Sequence, residues 1–448
     1  MGEKRIVIIG MGTASAGASA AVNHTSPGAE VSIIEKRGYE MYSACGMPFA
    51  FEGRLKFDSL KHEFPARGPR TNLYLDTKAV HIDTDKKEVG IEDRDGPSTL
   101  PYDALIIATG AKPVVPSIAN LDDYLGEYAY TLYTWEDVLQ LYQAKDRHRR
   151  VTVIGGGAVG VEFAYAMRNQ GLEVMIVEML DQVFPGALDR DMARHVQEYL
   201  DARGITVFTN STVEEVQGGN KLEGITIGEQ AYETDLAILA CGTVPNAEWI
   251  RDFGISCNSN GIITTKAMLT NVEGVYAAGD CVETFHAITG KRCRSMLAVP
   301  AMNQGRVAGI NAAGGMAAYG GTMNTSISVL GEYAVGSTGL TAEQARQQGF
   351  ELVMQKAKGL NKPSWYPGRE ELIVKLIADK KGMLLGGQVF GEKRAVKNRL
   401  DIVSAYLSAK GTLADMIRGE LAYCPDIADI PDPLTTALDF MLRRVKVT

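Results

Sequence analysis

The six cysteines of this 448-residue sequence show neither the spacing of a disulfide framework nor that of a zinc site. None belongs to a CxxC or CxxxxC motif, so a redox disulfide of that kind is excluded. A secreted fold held by disulfide bonds is not expected, and no metal site is predicted. The cysteine that follows Cys45 is Cys241. A redox role of Cys45 therefore needs a mixed disulfide or a sulfenic acid.

Long apolar segments are also missing. No stretch approaches the roughly 18 apolar residues of a membrane-spanning helix, and the apolar run Ile6–Ile9 is too short for a signal peptide. The net charge is -8 and basic runs are absent, which argues against a nucleic-acid surface. With 45% hydrophobic and 22% charged residues, the composition predicts a globular cytoplasmic protein of roughly two to four domains that acts without nucleic acid or membrane.

Glycine is plentiful, and it is concentrated in short motifs. One arrangement occurs twice: a β-branched run, a GxGxxG-like loop, a helical stretch and a second strand that ends in an acid. The first copy contains Arg5–Ile9, Gly10, Gly12, Ser15 and Glu35, and the second contains Val151–Ile154, Gly155, Gly157, Gly160 and Glu178. In such a unit a pyrophosphate approaches the glycine backbone at a helix N-terminus, and the acid accepts from a ribose hydroxyl. The repeat predicts two nucleotide sites.

The two copies differ in ways that concern the ligand. Ser15 stands at the third glycine position of the first copy, so helix and strand are expected to sit slightly further apart. Glu178 in the second copy has no arginine beside it and would repel a 2′-phosphate, which favours NADH over NADPH. NADPH stays open as an alternative, because basic residues from distant loops could contribute.

With three further segments, the chain resembles the flavin-dependent pyridine nucleotide-disulfide oxidoreductases over nearly its whole length. These segments are Tyr102–Gly110, Leu236–Gly242 and Gly274–Asp280. The resemblance implies an α/β fold with two Rossmann-like nucleotide-binding domains and a C-terminal α+β dimerisation domain. The implied domains are an FAD domain of residues 1–114 and 246–322, an NAD(P)H domain of residues 115–245, and the interface domain of a homodimer in residues 323–448.

Local patterns in the C-terminal part agree with such a domain. A hairpin is predicted from Leu372–Ile377 and Met383–Val389, and a helix from Ala395 to Ala409.

The resemblance also implies which residues bind FAD and NAD(P)H. Asp280 is expected to bind the ribityl chain of the flavin. Glu162 matches a glutamate near the nicotinamide, although any acid in the first turn of a helix would look the same. The full set of expected cofactor-binding residues is Gly10, Gly12, Ser15, Glu35, Lys36, Val80, Ala108, Thr109, Gly110, Gly155, Gly157, Gly160, Glu162, Glu178, Gly242, Gly279, Asp280 and Ala298.

Cys45 lies in Ser43–Phe49, a segment similar to the cysteine motif of the family's single-cysteine members. These are the coenzyme A-disulfide reductases, persulfide reductases, and NADH oxidases and peroxidases. A lone cysteine is more often a packing residue, whereas a position at the start of a helix favours the thiolate. The resemblance implies the second role: electrons pass from NAD(P)H to FAD and through Cys45 to the acceptor. Cys241 and Cys281 are expected to be packing residues.

Two kinds of residue are missing from the sequence, and their absence narrows the choice of electron acceptor. The first glycine loop contains no histidine, which argues against a peroxidase. The first helix carries no Lys or Arg, and only Arg306 remains of the basic residues usual in coenzyme A reductases. A smaller disulfide, a persulfide or a polysulfide is therefore favoured over coenzyme A disulfide, unless Lys61, Arg67 and Arg70 supply the charge. The alternatives are an NADH oxidase that reduces oxygen and a non-enzymatic flavin and thiol redox sensor.

The segment Leu421–Pro425 resembles the C-terminal motif that reaches the active site of the other subunit. It makes Tyr423 a candidate hydrogen-bond donor to a substrate sulfur. Cys424 is either a resolving thiol for Cys45 of the partner subunit or a buried small residue in place of alanine. The candidate catalytic residues are thus Cys45, Tyr423 and Cys424, and the sequence does not decide whether Trp365 or Tyr366 faces the active site.

Overall fold

A computed structural model describes residues 4–445. Contacts divide the chain into two compact units. The first joins the residues up to Val114 with Thr243–Thr322, and the second joins Val115–Gly242 with the residues from Met323 onward. Among the described residues, no helix has both the length and the apolar character that a membrane crossing requires.

Ten α-helices lie within residues 4–445, and three of them begin with a complete capping box, at Thr134, Thr341 and Thr412. The helices are α1 (Thr13–Thr25), α2 (Met47–Phe51), α3 (Trp135–Ala144), α4 (Ala158–Asn169), α5 (Arg190–Asp201), α6 (Ala298–Ala312), α7 (Ala342–Gln347), α8 (Lys393–Ser408), α9 (Leu413–Ile417) and α10 (Pro433–Leu442).

The strands of the same described region are β1 (Arg5–Ile9), β2 (Glu30–Ile34), β3 (Met41–Tyr42), β4 (Lys61–His62), β5 (Thr71–Tyr74), β6 (Lys78–Asp83), β7 (Glu88–Asp93), β8 (Gly96–Pro101), β9 (Ala104–Ile107), β10 (Ala111–Pro113), β11 (Ala129–Thr131), β12 (Arg150–Ile154), β13 (Glu173–Val177), β14 (Ile205–Phe208), β15 (Val213–Gly218), β16 (Leu222–Ile227), β17 (Gln230–Glu233), β18 (Leu236–Leu239), β19 (Thr243–Pro245), β20 (Cys257–Asn258), β21 (Gly261–Ile263), β22 (Val275–Ala277), β23 (Val282–Phe285), β24 (Arg292–Cys293), β25 (Ser326–Leu330), β26 (Tyr333–Gly339), β27 (Leu352–Leu360), β28 (Glu371–Asp379) and β29 (Leu384–Glu392).

The core of the first unit is a parallel sheet with the strand order β22-β9-β1-β2-β5. Its central strand β1 pairs with β2 and β9, and the side chains of Ile6–Ile9 are at most 5% exposed. Burial of a parallel sheet on both faces explains why these strands are continuous β-branched runs. Helices α1 and α6 approach so closely that a Cβ on Gly305 would lie 1.9 Å from the Ala14 carbonyl oxygen. Small residues therefore permit this helix contact.

Smaller sheets complete the first unit: β6-β7-β8, β20-β21-β23-β24, β3-β4 and β10-β19. The last of these pairs Ala111–Pro113 with Thr243–Pro245. The chain therefore rejoins the first unit at Thr243, three residues before the position 246 that the resemblance implied. Beyond this division into units, the expected domain limits stay a prediction.

The second unit contains a parallel sheet with the order β11-β18-β12-β13-β14. The helical stretch expected in the second copy is α4, which begins at Ala158, because the glycine loop ends at the N-cap residue Gly157. A separate antiparallel sheet, β15-β16-β17, lies between β14 and β18 along the chain. Together with the parallel sheet of the first unit, this arrangement confirms the predicted α/β fold with two Rossmann-like units.

The C-terminal part of the second unit is an antiparallel sheet with the order β25-β26-β29-β28-β27, packed against α8 and α10. The predicted hairpin is present as β28 and β29, which are longer than expected at nine residues each. The predicted helix is α8, which begins at Lys393 rather than Ala395. The reason is the Glu392 carboxylate, which accepts from the backbone N–H groups of Arg394 and Ala395 and so caps the helix.

Candidate functional site

The first glycine loop connects β1 to α1. Gly10 has a φ of +100°, and a Cβ there would lie 2.4 Å from the Ala108 carbonyl oxygen, so glycine is required. At Gly12, by contrast, no atom lies within 4 Å of the position of a Cβ. The loop backbone is therefore open at the point where a pyrophosphate would approach the helix N-terminus.

Ser15 at the third glycine position is fully buried, and its hydroxyl donates to the Gly10 carbonyl oxygen over 2.6 Å. At Gly160, the matching position of the second loop, a Cβ would lie 2.1 Å from the Gly155 carbonyl oxygen. The first loop therefore accommodates a serine at this position, and the wider spacing of helix and strand expected for the first copy stays a prediction.

The second loop, between β12 and α4, has the same geometry. Gly155 has a φ of +113°, and a Cβ there would lie 2.3 Å from the Ala240 carbonyl oxygen. Gly157 is open in the way that Gly12 is. Both loops therefore present an uncovered backbone at the start of a long helix, which is the arrangement that a dinucleotide needs.

The acids at the ends of β2 and β13 bind these loops. A Glu35 oxygen accepts from the Met11 N–H at 2.9 Å, and a Glu178 oxygen accepts from the Gly156 N–H at 2.7 Å. Both glutamates are at most 5% exposed. Each carboxylate thus fixes the shape of its glycine loop, in addition to the ribose contact expected from the sequence.

Arg37 is a residue of this site that the sequence did not reveal. Its guanidinium donates to both oxygens of Glu35 at 2.8 Å, and its Cζ atom lies 5.3 Å from the ring centre of Tyr39 and 5.0 Å from that of Tyr42. Lys36, which the sequence indicated, is exposed, and its expected cofactor contact stays a prediction. No periodicity distinguishes one loop cation from its neighbour, so only the folded structure could identify Arg37.

A second group of expected cofactor residues lies around the carboxyl ends of β9 and β22. The Thr109 hydroxyl donates to the Asn246 carbonyl oxygen at 2.8 Å, and the Gly279 N–H donates to the Gln304 side chain at 2.8 Å. Burial raises the pKa of Asp280 to about 6, against the opposing charge of Arg294. Ala108 directly follows β9, Gly110 has a φ of +68°, and Ala298 is the first residue of α6.

Val80 lies on β6, where its side chain is 38% exposed. Gly242 has a φ of +89° and no atom within 4 Å of a Cβ position. These two positions are accessible, and their expected cofactor contacts stay predictions.

Cys45 is exposed and lies in a 3₁₀ turn, Ala44–Gly46, directly before α2. The turn is anchored to the next loop, because the Ser43 N–H donates to the Leu60 carbonyl oxygen at 2.9 Å. The Ser43 hydroxyl also lies 3.2 Å from Nε2 of His62. Helix α2 has only five residues, so its dipole is short. Exposure excludes the alternative that Cys45 is a buried packing residue of this chain.

The other cysteines within strands or turns behave differently. Cys281 is fully buried, and burial raises the pKa of its thiol to about 11. Burial likewise raises the pKa of Cys241 to about 11. Neither thiol favours the thiolate, which agrees with packing roles.

Glu162 lies in the second unit, within the first turns of α4. Burial raises the pKa of its carboxyl to about 7, against hydrogen bonds from Ser328 and the backbone of Val329. The expected position of Glu162 near the nicotinamide stays a prediction.

The second glycine loop is also tied to the C-terminal sheet. The Phe184 N–H donates to the Gly156 carbonyl oxygen at 2.8 Å, and Asp189 follows five residues later. Oδ2 of Asp189 lies 2.8 Å from Nζ of the buried Lys375 on β28. The segment Phe184–Asp189 therefore contacts the second glycine loop at one end and the C-terminal sheet at the other.

Tyr423 and Cys424 are both exposed in the second unit. The neighbouring Asp426 lies 3.3 Å from Nζ of Lys362 and accepts a hydrogen bond from Tyr366, whose pKa is thereby raised. Trp365 is 70% exposed. The hydrogen bond between Tyr366 and Asp426 thus connects the Trp365–Tyr366 loop to the Tyr423–Asp426 segment. The sequence did not predict this contact.

Helices α1 and α6 border a groove of about 300 Å³ in the first unit. Its lining is mostly small and apolar, and His24 and Arg306 are its basic members. Within the described part of the chain, no group of three or more His, Cys, Asp or Glu side chains could hold a metal ion.

A family model described as pyridine nucleotide-disulphide oxidoreductase matches residues 4–305, and the dimerisation-domain model of that description matches residues 325–433. This chain belongs to the pyridine nucleotide-disulphide oxidoreductase family. The resemblance noted from the sequence is therefore confirmed.

Relatives of this oxidoreductase cover nearly its whole length. An NADH oxidase of Methanocaldococcus jannaschii is 32% identical, with 98% of this chain and 99% of that protein aligned. A CoA-dependent NAD(P)H sulfur oxidoreductase of Pyrococcus abyssi is 32% identical, with coverages of 96% and 97%. The solved structure of an NAD-dependent persulfide reductase from A. fulgidus is 29% identical, has a TM-score of 0.92 and aligns with 98% of this chain and 83% of its own.

As a member of this family, the protein is an enzyme that uses FAD and NAD(P)H. The residues present fit these groups. At Gly12 and Gly157 the loop backbone is open, and a side chain there would fill the space that a phosphate needs. Both loops also lead into long helices. The expectation of a non-enzymatic redox sensor finds no support among relatives that are named as oxidases and reductases.

Proposed function

We propose that this oxidoreductase uses NAD(P)H to reduce a low-molecular-weight disulfide, persulfide or polysulfide through Cys45. The observation that carries the proposal is the exposed Cys45 turn in the same unit as the first glycine loop. Relatives named as a persulfide reductase and a CoA-dependent sulfur oxidoreductase support this acceptor class.

FAD supplies two-electron transfer between NAD(P)H and a thiol–disulfide couple. The Cys45 thiolate attacks one sulfur of the acceptor, the S–S bond breaks, and one thiolate leaves while Cys45 keeps the other half as a mixed disulfide. Two electrons that originate from NAD(P)H then restore the Cys45 thiolate and release the second thiol. Each turnover of a disulfide consumes one NAD(P)H and one proton and yields two thiols.

The loop around Gly10, Gly12 and Ser15 is proposed to hold FAD, with Asp280 on its ribityl chain. The loop around Gly155, Gly157 and Gly160 is proposed to hold NAD(P)H. NADH is favoured, because the buried Glu178 carboxylate lies beside this loop and would repel a 2′-phosphate. The nearby Asp181 is paired with Arg190, so that arginine is engaged with an acid.

Coenzyme A is a candidate carrier of the sulfur, since a relative is named as CoA-dependent. The groove between α1 and α6 offers only His24 and Arg306 as cations for a nucleotide phosphate. We therefore expect coenzyme A disulfide to be a poorer acceptor than a smaller persulfide or polysulfide.

A homodimer is part of the proposal. Exposed apolar side chains occur in the two joined C-terminal segments: Trp365, Leu421, Tyr423, Ile427 and Ile430, with exposures between 39% and 70%. Such a group on one chain is typical of an interface, and all five residues lie within the match to the dimerisation-domain model. In the dimer, Tyr423 is proposed to donate to a substrate sulfur. A cytoplasmic location stays a prediction.

Cys424 is exposed, so it is not a buried substitute for alanine within one chain. We keep the hypothesis that it acts as a resolving thiol for Cys45 of the partner subunit. Mild oxidation should then give an intersubunit crosslink in the wild type and none in Cys45→Ser or Cys424→Ser. A Cα separation above about 7 Å in the dimer would contradict it.

A second function, NADH oxidase activity, is favoured by the relative of that name that aligns with 98% of the chain. Anaerobic NADH consumption with polysulfide and with coenzyme A disulfide, compared with consumption under oxygen, separates the two. Cys45→Ser is expected to abolish turnover of the sulfur acceptors, whereas Cys257→Ser, which alters a half-buried cysteine of β20, serves as the matched control. Fast oxygen turnover that is indifferent to Cys45 would refute the thiol mechanism for the main activity.

A further inference from the structure

Arg294 has an unusual position in the first unit. It lies between β24 and α6, and both of its neighbours are fixed: Cys293 pairs with Thr284, and the buried Ser295 hydroxyl lies 3.3 Å from that of Thr322. The backbone on both sides of Arg294 is therefore held, and its side chain is directed by the fold.

The guanidinium of Arg294 is only partly satisfied within the described residues. One Nη group donates to the Thr243 carbonyl oxygen on β19, whereas Nε is buried and has no hydrogen-bond partner among residues 4–445. A buried charged donor without an acceptor is costly. Such an atom points to a group that is bound there when the protein functions.

Asp280 is a second charged group near this guanidinium. The charge of Arg294 opposes the effect of burial on Asp280, so the two groups are near each other, yet no direct ion pair between them occurs among the described residues. Two nearby opposite charges that form no ion pair with each other can hold one ligand that offers a hydroxyl to the acid and an acceptor oxygen to the cation. FAD has both kinds of group.

We propose that Arg294 belongs to the FAD site and that its Nε–H donates to an acceptor oxygen of the cofactor, beside the hydroxyl that Asp280 binds. This inference rests on the proposed assignment of Asp280 to the flavin. It adds a residue outside the glycine loops and the strand motifs, and it explains why a cation with a fixed backbone stands before α6.

Three variants test the proposal in the holoenzyme. Arg294→Gln removes the positive charge and the planar set of guanidinium N–H donors. Arg294→Lys keeps a charge that can still reach the Thr243 carbonyl oxygen but lacks a second fixed donor. Arg292→Gln is the matched control, because that guanidinium is two residues away and pairs with Glu283 at 2.9 Å.

FAD release is measured by ultrafiltration of diluted holoenzyme and by flavin fluorescence. The FAD dissociation constant should rise by a factor of roughly 10 to 100 in Arg294→Gln, in line with loss of a hydrogen bond to a charged group. Arg294→Lys should release FAD more readily than the wild type, and Arg292→Gln should not. Thermal unfolding with saturating FAD shows whether each variant is folded.

Wild-type retention of FAD in Arg294→Gln, or full retention in Arg294→Lys, would overturn the Nε contact. The second result would show that charge and the Thr243 contact suffice. A wild-type protein that releases FAD as readily as Arg294→Gln would instead contradict the proposed FAD site of the first unit, so the two failures are distinguishable.

Discussion

Arg399 on α8 and Asp432 at the start of α10 form a buried ion pair that anchors the segment carrying Tyr423. The two residues are 6% and 7% exposed. Nε and Nη2 of Arg399 both donate to Oδ2 of Asp432, with Nε at 3.1 Å. The other oxygen, Oδ1, accepts from the Leu434 N–H at 2.8 Å and caps α10. One carboxylate therefore fixes both a helix start and a neighbouring helix.

Removal of one charge leaves its partner buried and unpaired. Arg399→Met is therefore expected to destabilise this region by about 3–5 kcal/mol. Asp432→Asn retains an oxygen for the α10 cap but leaves the guanidinium unpaired, so a similar loss is expected. The double variant leaves no unpaired charge, and its loss should be smaller than the sum by about 2–3 kcal/mol.

Hydrogen exchange of the α10 amides measures this effect. Global unfolding of a multidomain flavoprotein is not two-state, whereas local exchange reports the opening of one element. Lys397→Met is the matched control, since Lys397 pairs with Asp401 on the exposed face of the same helix α8. Loss of an exposed pair of that kind costs less than about 0.5 kcal/mol. The reasoning is refuted if Arg399→Met exchanges like this control, or if the two single losses add in the double variant.

Three further outcomes are expected. The pKa of Glu162 is about 7 in the folded protein, against 4.5 in the unfolded chain. Because the folded state binds the proton more tightly, the protonated Glu162 stabilises the protein below pH 4.5. About 3 kcal/mol of this stabilisation is lost as pH rises to 7. Melting temperatures measured across this range should fall with pH in the wild type by more than in Glu162→Gln. Glu178→Gln keeps the acceptor for the glycine loop and removes the charge, so the NADPH-to-NADH ratio of kcat/KM should rise roughly tenfold; an unchanged ratio would contradict the proposed repulsion. Gly305→Ala places a Cβ against the α1 backbone and should destabilise the first unit by about 1–3 kcal/mol, whereas Gly28→Ala, with no atom within 4 Å, is its control in the same thermal measurement.

The nucleotide loops show how much of the structure a local sequence pattern can predict. Glycine spacing and β-branched runs predicted the strands, the loops and the acids at the strand ends, because each of these depends on neighbouring residues. The spacing did not show that Glu35 and Glu178 bind their own loops through the Met11 and Gly156 N–H groups. That contact depends on the pairing of parallel strands, which brings residues more than twenty positions apart together.

The sequence by itself determined the fold class, the two nucleotide units and Cys45 as the candidate reactive thiol, since these follow from local spacing and motif order. The tertiary structure alone decided which isolated charges matter. Lys375 occupies an apolar strand of the sequence and meets Asp189, and Arg294 reaches the Thr243 carbonyl oxygen. Such partners are set by sheet order and helix packing over distances of 51 to 186 residues, and a single charged residue carries no local signal of its partner.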